Sequence, residues 1–388
     1  MAAISLHFQT PCFQPKIPTI KQHPIIKTSP PKRTHLSFAS KTPSQTPLTT
    51  SFQTPAAQNQ NPLVVVGSAN ADIYVEIERL PEEGETISAK TSQTLAGGKG
   101  ANQAACGAKL SYPTYFIGQV GEDAQGRLIT DALEGSGVHL AHLRTVPGAP
   151  TGHAVVMLQS DGQNSIIIVG GSNMSCWPHE LPHEDLEAVR KAGILLLQRE
   201  IPDWVNTQVA KVARSAGVPV ILDAGGMEGQ IPPELLSFVD ILSPNETELA
   251  RLTGMPTESF EQICQAAGNC QKMGVRQVLV KLGAKGSALF VEGEDPIQQP
   301  IIPASKVLDT TGAGDTFTAA FAVALVEGKS RRECLRFAAA AASLFTLSVT
   351  FLFLLWAWKL VDMLSDHFDF NVVGFSISDL PLRCDQMH

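Results

Sequence analysis

Asp315 closes the run Asp309-Thr310-Thr311-Gly312-Ala313-Gly314-Asp315, and a helix-forming stretch, Thr316-Phe317 and then TAAFAVALVEG, follows it directly. Small residues just ahead of a helix leave backbone N–H groups open and let a ligand approach closely. Those donors and the helix dipole stabilise negative charge developing on a phosphate. A carboxylate in the first turn, here Asp315, can take a proton from a hydroxyl that attacks the phosphate. An ordinary Gly-rich turn capped by Asp has the same local look. Two glycines with Asp309 leading and Asp315 closing make this spacing more specific than a lone GxG.

Other segments carry polar groups that such a reaction needs. Ala96-Gly97-Gly98-Lys99-Gly100-Ala101-Asn102-Gln103-Ala104 opens a second helix. Its paired glycines let backbone pack against a small polar ligand, and Asn102, one turn in, can bond hydroxyls. The GxxxxGK[ST] frame is absent, and alone this loop reads equally as structural. Gly67-Ser68-Ala69-Asn70-Ala71-Asp72 offers Asp72, a bidentate acceptor for two sugar hydroxyls, and Asn70, which donates and accepts. Both are also common loop and cap residues. Glu200 ends the strand ILLLQRE, and open α/β sheets bind ligands at strand C-termini. A routine exposed carboxylate is the plainer reading. In Ser243-Pro244-Asn245-Glu246-Thr247-Glu248, Asn245 and Glu246 can position nucleotide phosphates or magnesium-bound water, and Glu248 is a further Mg²⁺ candidate. Asn245 and Glu248 also spell a capping box before Leu249 and Leu252, and both readings can hold. Lys281-Leu282-Gly283-Ala284-Lys285-Gly286 is a strand-end loop suited to nucleotide contact.

These segments need a scaffold that brings them together. Apolar runs at Leu63, Thr114–Ile117, Ile194–Leu197, Val218–Leu222, Asp240–Leu242, Gln277–Val280 and Ser287–Val291 alternate with helix-period stretches. The helical stretches are Gly98–Lys109, Ala124–Gly135, Trp204–Ser215, Phe260–Met273 and Gly314–Glu327. This alternation predicts a mainly parallel sheet with helices on both faces. Ile73–Ser88 reads as extended strand, and Thr151–Gly170 as a hairpin turning at Asp161-Gly162. Together they predict a small separate sheet placed like a cover.

Both ends differ from the middle. The 388 residues carry a formal charge of −8, but Met1–Pro62 has no Asp or Glu, only Lys16, Lys21, Lys27, Lys32, Arg33 and Lys41. The remaining 23 basic and 37 acidic residues give a body of −14, which argues against a grip on nucleic-acid phosphates. Rich in Ser, Thr and Pro and without a long apolar core, residues 1–61 resemble a transit peptide, of chloroplast rather than mitochondrial type. A plain disordered tail has the same composition. Seven cysteines without a CxxC suit a reducing compartment and argue against zinc. Phe337–Trp358 is 22 residues without a charge, long enough to span a bilayer, although its first part continues a helix begun near Arg331.

In this order, GSANAD, AGGKGANQA, PNETE, KLGAKG and DTTGAGDTF resemble the ribokinase branch of the PfkB-type carbohydrate kinases over about Leu63–Ser343. The resemblance implies a three-layer α/β/α domain over residues 62–343. It also implies a β-sheet lid (about 73–89 and 151–171) often used for dimerisation. The expected reaction is ATP-dependent phosphorylation of D-ribose at its 5-hydroxyl, with Mg²⁺ and activation by K⁺. Asp315 resembles the base, and Gly312, Ala313 and Gly314 the anion hole. Asn70, Asp72, Gly98, Lys99, Asn102 and Glu200 resemble sugar ligands, and Asn245 with Lys281–Gly286 the nucleotide side. Asp309 and Thr311 resemble half of a K⁺ site. From Leu344 the chain departs from that pattern, which there has a Gly-containing loop completing the cation site and then a last helix. We read residues 344–388 as an alternative C-terminus, such as translated unspliced sequence. Two other readings remain open at this stage. One is another sugar or nucleoside kinase of the family; the other is an impaired form held at a membrane by Leu344–Val361.

Overall fold

The computed structural model describes residues 61–160, 163–303 and 310–346. The chain enters through β1 (Leu63–Val66), then makes β2 (Asn70–Ile77), β3 (Thr91–Gly97) and α1 (Lys99–Lys109). It continues through β4 (Thr114–Gly121), α2 (Ala124–Gly135), β5 (His139–Val146), β6 (Gly152–Gln159), β7 (Asn164–Val169) and α3 (His183–Arg190). Next come β8 (Ile194–Arg199), α4 (Asp203–Ala216), β9 (Val220–Gly226), α5 (Pro233–Ser237), β10 (Ile241–Ser243), α6 (Glu246–Thr253) and α7 (Phe260–Lys272). The described part finishes with β11 (Gln277–Lys281), β12 (Ser287–Val291), β13 (Ile297–Gln299), α8 (Ala313–Val326) and α9 (Arg331–Thr346).

Nine strands form the main sheet in the order β13-β12-β11-β10-β9-β8-β1-β4-β5. Pairing is parallel from β11 through to β5, and the β11–β12 and β12–β13 pairs are antiparallel. Every residue of β1 is fully buried, because a central parallel strand is covered on both faces and has no polar side to present. Its side chains nevertheless split by the two-residue period. Leu63 and Val65 join the core beneath α1, α2, α8 and α9, whereas Val64 and Val66 join that beneath α3 to α7. Three layers result, as the alternating pattern predicts. Helix α8 is apolar on every side and almost wholly buried from Asp315 to Ala324, packed between α9 and α1.

The second sheet has four strands in the order β3-β2-β6-β7. It confirms a separate small sheet but corrects its parts. Strand β2 starts at Asn70 and ends at Ile77; Glu78–Lys90 is turn and irregular chain, so no strand continues to Ser88. Its antiparallel partner β3, TSQTLAG, is too polar to stand out as a strand, because most of it is exposed. Strand β5, HLAHLRTV, escapes for a related reason: as an edge strand it is only half-covered. The helix expected to begin near Arg331 is present as α9. Helix α9 passes Ser343 and runs to Thr346, since nothing in AASLFT breaks a helix. The apolar run beyond Thr346 and the leader up to Gln60 lie outside the described residues. Among the described residues no helix is long and apolar enough to cross a membrane.

The loop joining β1 to β2 threads against the start of α1, and this approach depends on glycine. Gly98, the N-cap of α1, has φ 92°, and a Cβ there would sit 2.7 Å from the Asn70 nitrogen. Gly98→Ala therefore combines left-handed strain with a backbone clash, and should cost on the order of 2 kcal/mol of folding stability. Denaturant unfolding measures it; a loss below about 0.5 kcal/mol would mean that the two loops part freely.

Candidate active site

Polar residues gather where the C-terminal ends of β1, β8, β9, β10 and β11 meet the N-termini of α1 and α8, the crevice where open α/β sheets take ligands. Helix α8 opens on Gly312, a left-handed N-cap (φ 85°), with Asp315 in its first turn. Asp315 is held from two sides: Lys99 Nζ lies 3.1 Å from Oδ1, and Asn102 Nδ2 donates to Oδ2 at 3.0 Å. Two motifs more than two hundred residues apart thus share one carboxylate. In the turn itself, Ala313 N–H donates to Thr310 O at 3.1 Å, while Gly314 and Asp315 belong to the first turn, whose N–H groups have no acceptors within the helix.

On the β2 side, Asn70 and Asp72 lie beside Glu200. Ser68 Oγ donates to Glu200 Oε2 at 2.5 Å, and the Lys99 backbone N–H to the same oxygen at 3.1 Å. Burial raises the pKa of Glu200, against the pull of Lys99. Burial also pushes the Asp72 carboxyl up to about 7, helped by the charges of Glu200 and Asp315. Asn173 Nδ2 donates to Asn70 Oδ1 at 2.7 Å, and Asn173 Oδ1 accepts from Ala69 N–H at 2.9 Å, so Asn173 fixes the loop and its Asn70 together.

On the other side of Asp315 a cavity of about 820 Å³ opens, lined by Lys99, Asn245, Glu248, Lys281, Gly283, Ala284, Gly286 and the Thr310 and Gly312–Asp315 turn. The capping box at Asn245 is formed: Asn245 Oδ1 accepts from Glu248 N–H and Glu248 Oε2 from Asn245 N–H, both at 2.8 Å. Two residues of the KLGAKG loop depart from expectation. Leu282 is buried in the core beside β11, and Lys285 pairs with Glu246 at 2.9 Å, so neither side chain lines the cavity. Thr311 lies next to the turn, whereas its partner in the expected K⁺ site, Asp309, falls outside the described residues.

Sequence reasoning missed Asp223, in the middle of β9 where its apolar run VIL ends. Its side chain is fully buried and accepts from Lys281 Nζ at 2.6 Å and Thr318 Oγ1 at 3.1 Å, with Lys99 Nζ 3.7 Å away. Burial opposes its charge, but Lys281 and Lys99 outweigh burial and hold its pKa low. Lys99 is the converse: burial opposes its charge, yet Asp315, Asp223, Glu200 and Glu248 hold its pKa above the usual lysine range. The signal for Asp223 was present, since it closes VILD as Glu200 closes ILLLQRE. Ser68 lay unremarked inside GSANAD. Asn173 has no local signal.

This arrangement can bind a polyol beside Asp72, place an anionic ligand in the cavity, and abstract a proton between them. A profile of the pfkB family of carbohydrate kinases matches residues 60–350. The chain is 76% identical over 285 residues to a ribokinase of Arabidopsis thaliana, covering 73% of this chain and 75% of that protein. It is 35% identical over 283 residues to a Haemophilus influenzae ribokinase, covering 73% and 91%. A structure of Arabidopsis thaliana ribokinase with ribose and ATP superposes with a TM-score of 0.76 at 70% identity, covering 79% of this chain and 99% of that one.

The raised Asp72 pKa has a consequence for stability. Its folded value of about 7 exceeds the unfolded 3.8, so between those values the native state holds the extra proton. Stability contributed by this group is full below about pH 4, falls as pH rises through about 7, and is level above. Asp72→Asn should remove that slope and raise stability at pH 8 by on the order of 2 kcal/mol, the full shift being discounted for partial exposure. Unfolding at pH 5, 6.5 and 8 tests it; an unchanged slope in the variant would assign the titration elsewhere.

Proposed function

Because the chain belongs to the pfkB family of carbohydrate kinases, we propose that it transfers the γ-phosphoryl group of ATP to the 5-hydroxyl of D-ribose. The observation that carries this reading is the sharing of Asp315 between Lys99 and Asn102 of the GGKGAN loop, at the mouth of a nucleotide-sized cavity. Asn70, Asp72, Asn102 and Glu200 hold the sugar hydroxyls. Asp72 accepts best when ionised, so sugar affinity rises with pH through about 7. Asp315 takes the proton of the attacking hydroxyl, and charge growing on the phosphoryl oxygens meets the N–H groups and dipole at the start of α8. Asn245, Lys281, Gly283, Ala284 and Gly286, which line the cavity, make up the nucleotide side.

Glu248 and the phosphates themselves offer the oxygen chemistry that Mg²⁺ needs, and the ion, when bound, neutralises the β- and γ-phosphates. Among the described residues no group of three or more His, Cys, Asp or Glu is placed to hold a metal ion. Asp309 and Thr311 are assigned to K⁺. The acid-free leader supports import into a chloroplast, with action in the stroma. The small sheet excludes water from the sugar, since hydrolysis of ATP is the competing reaction. Its strand β7 exposes Ile166, Ile167 and Ile168 at 54–62%, an apolar edge suited to a second copy of the chain.

Ribose-dependent ADP release tests the activity. Asp315→Asn should lower kcat by on the order of 10²–10⁴ while nucleotide still binds; a variant with wild-type kcat would remove Asp315 from proton transfer. For the assembly, sedimentation should give a dimer that Ile167→Asp converts to monomer. A monomeric parent would refute the lid interface.

A further inference from the structure

Asp223 has four contacts and none is spare for a ligand. Oδ2 accepts from Lys281 Nζ (2.6 Å) and Thr318 Oγ1 (3.1 Å); Oδ1 accepts from Gly225 N–H (3.0 Å) and lies 3.7 Å from Lys99 Nζ. It therefore ties β9 to β11, α8 and α1 without itself facing the cavity. What it does is fix two ammonium groups. Lys99, its side chain 24% exposed, stands against Asp315. Lys281, 12% exposed, lines the cavity on the far side of the glycine turn. A methyl group placed on Gly314 would lie 3.7 Å from Lys281 Cδ and 4.0 Å from its Nζ, so this ammonium borders the first open turn of α8.

We propose that Asp223 is a positioning residue for phosphoryl transfer: it holds Lys281 at the Gly314 turn, opposite Lys99, so that two ammonium groups bracket the terminal phosphate of the bound nucleotide. The inference rests on the kinase reading above and adds to it a distinct source of charge stabilisation. A free lysine side chain loses several rotatable bonds' worth of entropy when it settles on an anion. Pairing with a buried, fixed carboxylate removes that freedom before the ligand arrives, which is preorganisation. Only one of the three Lys281 donors is needed for Asp223, and the others remain for phosphate oxygens. The low pKa of Asp223 supports the same picture, since a neutral acid there would not hold either lysine.

The test uses the full chain and two probes, ADP and a non-hydrolysable β,γ-methylene analogue of ATP, with affinities from titration calorimetry. Lys281→Met and Asp223→Asn should each weaken the analogue about tenfold and leave ADP within twofold, because only the analogue carries the phosphate that the lysines bracket. The double variant should bind the analogue no more weakly than the worse single, because both changes remove one device. In ribose-dependent turnover kcat should fall by a similar factor with the KM for ribose within twofold. Equal weakening of both probes, no weakening, or losses that multiply in the double variant would overturn the inference. If Asp223→Asn does not fold, Lys281→Met alone decides, since an unchanged preference for the analogue over ADP refutes a role at the terminal phosphate. A parent protein that binds the analogue but does not phosphorylate ribose would sink the proposed function, while the binding comparison would still judge the two lysines.

Discussion

Two helix N-termini, those of α1 and α8, converge over the C-terminal ends of one parallel sheet, and the charge this imposes governs the rest of the site. Each helix end brings partial positive charge, and Lys99 and Lys281 add two full charges in a largely dry crevice. Acids must answer them, and their protonation follows from where they stand. Asp223, between both lysines, stays ionised despite complete burial. Burial pushes Glu200 and Asp72 upward, Lys99 partly offsetting it at Glu200 and the charges of Glu200 and Asp315 adding to it at Asp72. One sheet end thus presents a graded set of carboxylates without any difference in residue chemistry.

Much of this was legible in the sequence because the loops that carry chemistry are short, ordered and contiguous. GGKGANQA and DTTGAGDTF each contain glycines that admit a ligand and a polar side chain beside them, so spacing offers Asn102 and Asp315 as candidates, and the fold joins the two by a hydrogen bond. Asp223, Ser68 and Asn173 were not found, and the reasons differ. Asp223 is paired to Lys281, Thr318 and Lys99 across the fold, and nothing local marks those partners. Asn173 sits in a connecting turn whose value depends on where Ala69 and Asn70 lie in space. The elements follow the same division. Buried strands such as LVVV announce themselves, whereas β3 and β5, exposed or at an edge, carry the polar residues that solvent permits.

The described chain ends in the last turn of α9. The continuation of α9 through Leu344, Phe345 and Thr346 brings an aromatic ring to the glycine turn: a methyl on Gly312 would meet Phe345 Cζ at 3.1 Å. Ser343 and Thr346 also line the cavity beside Asp315. Substitutions in this last turn therefore bear on the shape of that cavity as well as on packing.

Helix α8 has no polar face, and the group at its head is Asp315. A helix wrapped by core on every side cannot detach, fray or re-dock by itself; its backbone amides exchange with solvent only when the whole domain opens. The carboxylate proposed as the base is thereby mounted on a helix buried from Asp315 to Ala324, whereas Asn70 and Asp72, proposed for the sugar, stand on the smaller sheet. Loosening of the smaller sheet can therefore disturb Asn70 and Asp72 while Asp315 keeps its place at the head of α8.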